Sequence, residues 1–247
     1  MKHRSFLILA SIVLFGQLAN AQSYAFGLKG GLLAGMQQWE GQNRSLMFKS
    51  HGVIFIESAD EGQTYGVFAE AGFHQRGSAR RNVRFTGPSG NLFDAPTQEF
   101  IFNNVSLTLG AKDKKLLNAE TFFYYGLGVR GEYTVSTNLE EFRETFEDIY
   151  GANILVGGYP IPEFVRKWNY GITVQGGLEW HMSEFVASVF EVRVSPDFSA
   201  QYLQPPIANA YDPITGNTRS FNEQKAVNIS IELTIGLRFL RKIIYID

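Results

Sequence analysis

The chain has 247 residues, with 22 Lys and Arg against 24 Asp and Glu, which gives a formal net charge of -2. This balance, without a block of basic residues, argues against nucleic-acid binding, which depends on clustered Lys and Arg. The absence of cysteine excludes disulfides, thiolate metal sites and a cysteine nucleophile. With 45% hydrophobic residues, 25 Gly and 14% aromatic residues, the composition suits β structure with close strand packing.

The first 21 residues have the three regions of a secretory signal peptide. Residues 2–4 are basic, residues 6–15 are an apolar run, and residues 19–21 form a small-x-small cleavage motif. The apolar run is too short to cross a bilayer as a helix, which needs about 20 residues. We therefore expect residues 1–21 to be a cleaved signal peptide and residues 22–247 to form one exported domain. An uncleaved anchor is the alternative.

Alternation of apolar and polar residues predicts eight β-strands after this segment. The clearest run is residues 228–239, where six apolar side chains share one face and polar side chains share the other. The remaining strands are expected within residues 24–37, 49–58, 64–77, 104–110, 123–130, 168–180 and 184–195. Strands of about 9–11 residues are long enough to cross a membrane when tilted.

The connections between these strands alternate between long and short. In chain order they are residues 38–48, 59–63, 78–97, 113–118, 136–167, 181–183 and 196–224. A membrane-spanning meander has short turns on the periplasmic side and long loops outside. An even number of strands also brings both termini to the short-turn side.

Charged residues on the strands share the face opposite to the apolar one. A basic side chain facing lipid at mid-depth costs about 2–4 kcal/mol, so this face should line the lumen. The sequence therefore predicts an all-β, eight-stranded antiparallel up-and-down transmembrane β-barrel with long extracellular loops, in the outer membrane. A soluble barrel with an apolar interior is the alternative, and it conflicts with charges at strand centres. The predicted lumen residues are Lys29, Glu57, Glu70, Arg130, Glu132, Glu179, Glu191, Arg193, Glu232 and Arg238.

An eight-stranded barrel is narrow enough to be filled by its own side chains. We therefore expect these charges to form an internal network of salt bridges, with a pore lining as the alternative. Aromatic residues near the strand ends predict two interfacial belts. One belt would include Tyr24, Phe26, Phe122, Trp180, Phe185 and Phe239, and the other Trp39, Phe73, Tyr133, Trp168 and Tyr170.

Five short segments of the mature chain are rich in Gly and alternate small or polar with apolar residues. They are residues 26–32 (FGLKGGL), 105–110 (VSLTLG), 124–128 (YYGLG), 168–179 (WNYGITVQGGLE) and 229–239 (ISIELTIGLRF). Together they resemble the PorT-like outer-membrane β-barrel family of the Bacteroidota. The resemblance implies the barrel fold, and some family members are linked to type IX secretion and gliding. Family members often end at the last aromatic residue, whereas this chain continues beyond Phe239.

Catalytic and metal-binding patterns are weak. Ser50 and His51 are neighbours on one strand and point to opposite faces, so they cannot pair directly. Ser78 and His74 lie four residues apart at the mouth of a loop, which leaves a weak possibility of a Ser–His pair. No calcium-type oxygen-ligand loop is present, and the acidic stretch at residues 140–148 predicts a short helix instead. We expect no catalytic residue, metal or cofactor.

The third long loop is the candidate partner-binding segment. Asn138 and Glu141 fit a helix capping box, and an apolar stripe follows at helical spacing. The candidate residues are Leu139, Phe142, Phe146 and Ile149, with Tyr159 in the apolar segment 154–162. Packing of this stripe onto the barrel rim is the alternative.

A second loop carries a basic patch that would suit lipopolysaccharide head groups. It consists of Arg76, Arg80, Arg81 and Arg84. We interpret the protein as a non-enzymatic structural or interaction module of the cell envelope, with outer-membrane lipid, lipopolysaccharide and another envelope protein as expected partners. A lipid-modifying enzyme and a narrow passive channel are the alternatives.

Overall fold

The computed structural model describes residues 23–39, 44–59, 64–81, 84–86, 92–94, 97–150, 159–211 and 216–242. The predicted signal peptide lies outside these residues. Among the described residues, no helix is long and apolar enough to cross a membrane. The strands are β1 (Ser23–Trp39), β2 (Met47–Ser58), β3 (Tyr65–Arg80), β4 (Arg84–Thr86), β5 (Leu92–Asp94), β6 (Gln98–Asn118), β7 (Thr121–Thr137), β8 (Trp168–His181), β9 (Val186–Pro196), β10 (Tyr202–Gln204), β11 (Ile207–Tyr211), β12 (Thr218–Phe221) and β13 (Gln224–Lys242), and the helices are α1 (Leu139–Tyr150) and the 3-10 helix η1 (Pro162–Phe164).

Eight long strands form one closed antiparallel sheet, which confirms the predicted up-and-down barrel. The strands pair in the order β1, β2, β3, β6, β7, β8, β9 and β13. The last strand returns to the first, with register from Ser23↔Lys242 to Trp39↔Ala226. Closure removes the open sheet edges, whose unpaired backbone groups would cost several kcal/mol each in lipid.

The strand register fixes the stagger of the barrel. A line drawn from residue to paired residue around the whole barrel starts at Ala187 on β9 and returns ten residues further along the chain, at Asp197. The paired residues on this line are Ala187, Arg238, Gly27, Phe55, Glu70, Thr108, Arg130, Gly171 and Asp197. Such a stagger requires the strands to tilt, as in membrane barrels, where the tilt is about 35–45°.

Side chains alternate between an apolar outer surface and a polar lumen. On β13, Leu233 is 56% exposed, whereas the neighbouring Glu232 is fully buried. The same alternation holds on β7, where Leu127 and Val129 are exposed and Arg130 and Glu132 are buried. The polarity is the reverse of a soluble barrel, because the exposed face is the apolar one. The predicted division into an apolar outer face and a charged lumen face is therefore confirmed at the strand centres.

The prediction of a short turn at residues 113–118 is wrong. Strand β6 runs to Asn118, β7 begins at Thr121, and the turn consists of Ala119 and Glu120. The charged run resembles a turn because Lys112 to Lys115 are polar on both faces of β6. Lys114 points into the lumen, and Asp113 on the other face accepts a 2.7 Å hydrogen bond from the Tyr125 hydroxyl.

The long loops contain structure of their own. Two hairpins, β4–β5 and β11–β12, lie outside the barrel sheet, and β10 pairs with the end of β13. The predicted helix is confirmed as α1. The side chain of Asn138 binds strand β6, because its oxygen accepts from the Ile101 amide at 2.8 Å and its amide donates to the Glu99 carbonyl at 2.8 Å.

Gly77 has a backbone conformation that a larger residue would not tolerate. Its φ of 148° lies in the region that side chains rarely adopt, and a Cβ there would collide with the carbonyl oxygen of Phe100. The four consecutive residues from Arg76 to Ala79 are all buried, which breaks the alternation of the strand.

Candidate functional site

The lumen is the chemically distinctive part of the molecule. All ten charged residues predicted to line it are buried there, and each forms at least one ion pair. Among the described residues the network comprises seven basic and seven acidic side chains. They are Lys29, Arg76, Lys112, Lys114, Arg130, Arg193 and Arg238, and Glu57, Glu70, Glu132, Glu179, Glu191, Asp197 and Glu232. Pairing offsets the cost of removing so many charges from water.

The lowest tier lies at the end of the barrel with the short turns. Glu57 accepts from Lys112, from Lys114 at 3.0 Å and from Arg238 at 2.7 Å. Glu179 contacts the same Lys114 at 2.7 Å and Arg238 at 3.3 Å. Two carboxylates from β2 and β8 thus share two cations from β6 and β13, which ties four strands together.

The middle tier crosses the barrel. Arg193 on β9 donates to Glu70 on β3 at 2.5 Å, and these strands are four positions apart in a ring of eight, which makes them opposite each other. Lys29 completes the tier, with its Nζ 2.6 Å from Glu70 and 2.9 Å from Glu191. The Tyr124 hydroxyl also donates to Glu191 at 2.9 Å. The Arg193–Glu70 contact joins opposite walls of the barrel across the lumen.

The upper tier is centred on Arg76. Its guanidinium lies 3.2 Å from Glu132, 3.5 Å from Asp197 and 3.5 Å from Glu232. Arg130 also contacts both Glu132 and Asp197. Asp197 follows the end of β9, and burial raises its pKa although both arginines act in the opposite direction.

Two histidines lie beside this tier. The rings of His51 and His74 stack with centroids 5.5 Å apart. His74 Nδ1 lies 3.3 Å from Glu232, and His51 Nε2 lies 2.9 Å from the Thr234 hydroxyl. Among the described residues, no group of His, Asp and Glu side chains is arranged to hold a metal ion.

Amide side chains close the mouth of the barrel above the charges. Gln201, in the segment that follows β9, donates to Asn104 at 3.0 Å and to Thr134 at 3.1 Å. Its oxygen accepts from Asn228 at 2.7 Å and from Gln37 at 3.2 Å. We call residues 197–204 the mouth segment. It is bound to β1, β6, β7 and β13, so it spans the opening.

An aromatic layer covers the mouth segment. Tyr202 is fully buried against Trp39, with ring centroids 5.0 Å apart, and burial raises the pKa of the Tyr202 hydroxyl to about 12. Trp39 donates to Gln37 at 3.1 Å. The assignment of Trp39 to the outer aromatic belt is therefore wrong. Its odd-numbered position on β1, shared with Lys29, directs it inward.

The candidate partner-binding residues that are described pack onto the barrel rim instead. Leu139 is 0% exposed and clusters with Phe100, Phe102 and Tyr159, and Phe142 packs against the same cluster. A fully buried Leu139 is not available to a partner, so rim packing, the alternative interpretation, describes this part of the loop. The side chains of Phe146 and Ile149, and residues 154–158, lie outside the described residues.

The predicted basic patch is broken up, because Arg76 is buried; of its members with described side chains, Arg81 is exposed and Arg80 half-buried. Arg76 lies in the lumen, Arg80 stacks on the Tyr159 ring at 6.0 Å, and Arg81 donates to the Leu46 carbonyl at 3.2 Å. The side chain of Arg84 lies outside the described residues. The alternation on β3 could have predicted the inward position of Arg76. Arg76 and Glu70 both have even numbers and therefore share the lumen face of this strand.

The weak Ser–His candidate is occupied by other contacts. The Ser78 hydroxyl donates to Gln37 at 3.1 Å, while His74 faces Glu232. His51 binds Thr234 on the far side from the neighbouring Ser50. The geometry therefore offers no activated serine at either predicted position.

Sequence comparisons and structural comparisons give different results. No protein-family model matches the chain, and no curated protein matches it by sequence. Among solved structures, the outer membrane protein OprG from Pseudomonas aeruginosa is similar with a TM-score of 0.51 and 10% identity, over 89% of this chain and 96% of that chain. Neisserial surface protein A (NspA) is similar with a TM-score of 0.47 and 9% identity, over 89% of this chain and 97% of that chain. At 10% identity the likeness to OprG concerns the fold alone, which is that of a small outer-membrane β-barrel.

Proposed function

We propose that the protein is an outer-membrane β-barrel with a closed lumen, and that it acts as a non-enzymatic structural or interaction module of the cell envelope. The apolar outer band supports a membrane location, because such a surface would be unstable in water. The observation that carries the closed lumen is the Arg193–Glu70 contact between opposite walls. The likeness to OprG supports the outer membrane in particular.

In this proposal the short turns face the periplasm and the long loops face the outside. The outer structure then includes α1 and the hairpins β4–β5 and β11–β12. Glu141 and Glu144 are exposed on α1, on the side away from the rim cluster, and Tyr211 is exposed on the hairpin. These groups are the ones that another envelope protein could contact, whereas Leu139 on the apolar side of α1 is fully buried.

We further propose that the chain belongs to the PorT-like group and supports a secretion or gliding apparatus. The Gly-rich segments quoted from the sequence support this assignment. A deletion strain is expected to secrete less protein to the surface or to glide more slowly, and complementation should restore both. Normal secretion and gliding in the deletion strain would contradict the accessory role.

Co-purification from membranes in mild detergent tests the interaction role. A variant with Glu141→Lys and Glu144→Lys should lose any associated envelope protein, because both exposed carboxylates are reversed. Glu120→Lys, in the two-residue turn at the other end of the barrel, is the matched control. Equal recovery of the partner with both variants would exclude the α1 face as the interaction surface.

A further inference from the structure

An arc of exposed cations lies on the outer rim between β7 and β13. Arg166 and Lys167 immediately precede β8, and Lys225 is the second residue of β13. All three are exposed. Among the described residues, no ion pair involves the side chain of Arg166, Lys167 or Lys225.

Backbone hydrogen bonds hold this arc in place. The Arg166 amide donates to the Gln201 carbonyl at 2.8 Å, and the Gln201 amide donates to the Ala226 carbonyl at 2.9 Å. Arg166 is therefore about two strand spacings, or about 10 Å, from the start of β13. On the other side, the Thr134 amide on β7 donates to the Lys167 carbonyl at 2.7 Å. Backbone hydrogen bonds to the mouth segment and to β7 thus fix the main chain at Arg166 and Lys167.

Three large aromatic side chains are exposed next to the cations, on the membrane side. Trp168 is 73% exposed, and Tyr170 and Phe198 are each 62% exposed. The Phe198 amide donates to the Tyr170 carbonyl at 2.9 Å, and Trp168 packs edge-on against Tyr133 with centroids 4.9 Å apart. Exposed aromatic rings of this kind mark the level of lipid head groups.

We propose that this arc binds a phosphate-bearing lipid of the outer leaflet, with its head group on Arg166, Lys167 and Lys225 and its acyl chains along the aromatic surface below. The inference rests on the proposed membrane orientation. Charge complementarity favours an anionic lipid, since each Arg or Lys at a membrane surface attracts anionic head groups. The acidic residues closest to the arc in sequence are Glu163 and Glu223. Glu163 pairs with Arg143 at 3.1 Å.

Native mass spectrometry of the full protein in detergent micelles tests this site. The probes are bisphosphorylated lipid A, the same lipid without its phosphates, and phosphatidylethanolamine. We expect retention of bisphosphorylated lipid A alone, because the dephosphorylated lipid and the zwitterionic phosphatidylethanolamine lack its net negative charge. Its affinity should fall by about tenfold or more in the R166Q/K167Q/K225Q variant. Lys115→Gln, which removes an exposed cation at the opposite end of the barrel, should leave the affinity unchanged.

The other results separate two kinds of failure. Equal affinity for both forms of the lipid, equal effects of the triple variant and Lys115→Gln, or complete displacement by inorganic phosphate would each overturn the lipid site. Each variant is also reconstituted into lipid bilayers, and its gel mobility is compared with and without heating. A change of mobility on heating shows, independently of lipid binding, that the variant has inserted. If the native protein itself fails to insert, the proposed membrane function is wrong, and not only the lipid site.

Discussion

At the residue scale, the lumen charges act as a connected set in which Arg193 has the most critical position. It contacts Glu70, Glu191 and Gln175, at 2.5, 2.9 and 2.9 Å. Its Nε also lies 3.9 Å from Glu232, which joins the middle tier to the upper one. Removing one partner of a buried ion pair is more costly than replacing both, because the remaining charge stays buried.

Arg193→Leu should therefore lower the free energy of unfolding by about 3–5 kcal/mol while leaving membrane insertion intact. The measurement is the urea unfolding midpoint of the protein in lipid vesicles. Arg219→Leu is the matched control, because Arg219 is exposed on the hairpin β11–β12 and its guanidinium lies over the Phe221 ring, 5.6 Å from the centroid. An unchanged midpoint for Arg193→Leu would mean that the lumen is hydrated and screened, which would favour the channel alternative.

Sequence parity identified ten of the fourteen lumen charges and missed four for different reasons. Arg76 lies in the sequence beside the arginines of a predicted loop, although its even-numbered position on β3 matches Glu70. Lys112 and Lys114 belong to a run that is polar on both faces of β6, so alternation does not show which of its side chains face inward. Asp197 lies beyond the strand, where alternation has no predictive value, so its inward position depends on the fold of the mouth segment.

At the element scale, the sequence predicted α1 correctly but not the direction of its apolar stripe. Helical spacing shows that Leu139 and Phe142 share a face, and it contains no information on what that face contacts. In the structure this face packs against β6, where Phe100 and Phe102 lie at the mouth end of the strand. Burying each of these large apolar side chains contributes about 1.5–3 kcal/mol.

Leu139→Asp should release α1 from the rim without unfolding the barrel, because a carboxylate cannot be buried unpaired against Phe100 and Phe102. Hydrogen exchange should speed up in α1 and remain unchanged in the eight strands. Thr145→Asp, at an exposed position of the same helix, should leave exchange in α1 nearly unaffected. If exchange in the strands accelerates as well, α1 and the barrel form one cooperative unit.

At the scale of the whole molecule, the order of the strands follows from the sequence, whereas the closed register does not. The alternation predicts a meander of eight strands and its inner face. The ten-residue stagger, and with it the meeting of Arg193 and Glu70 across the lumen, depends on pairings between residues far apart in the chain. The sequence therefore predicted a network of ion pairs in the lumen, and the fold determines which charges pair across it.

In the proposed closed barrel, the mouth segment and the ion-pair tiers beneath it form two separate closures. We expect no single-channel conductance from the native protein in planar bilayers. The double variant Gln201→Ala, Tyr202→Ala should also be silent, since it empties the mouth but leaves the Arg193–Glu70 contact below. A porin measured in the same bilayers serves as the positive control. Conductance in the double variant alone would show that the mouth segment is the sole seal, and conductance in the native protein would contradict the closed lumen itself.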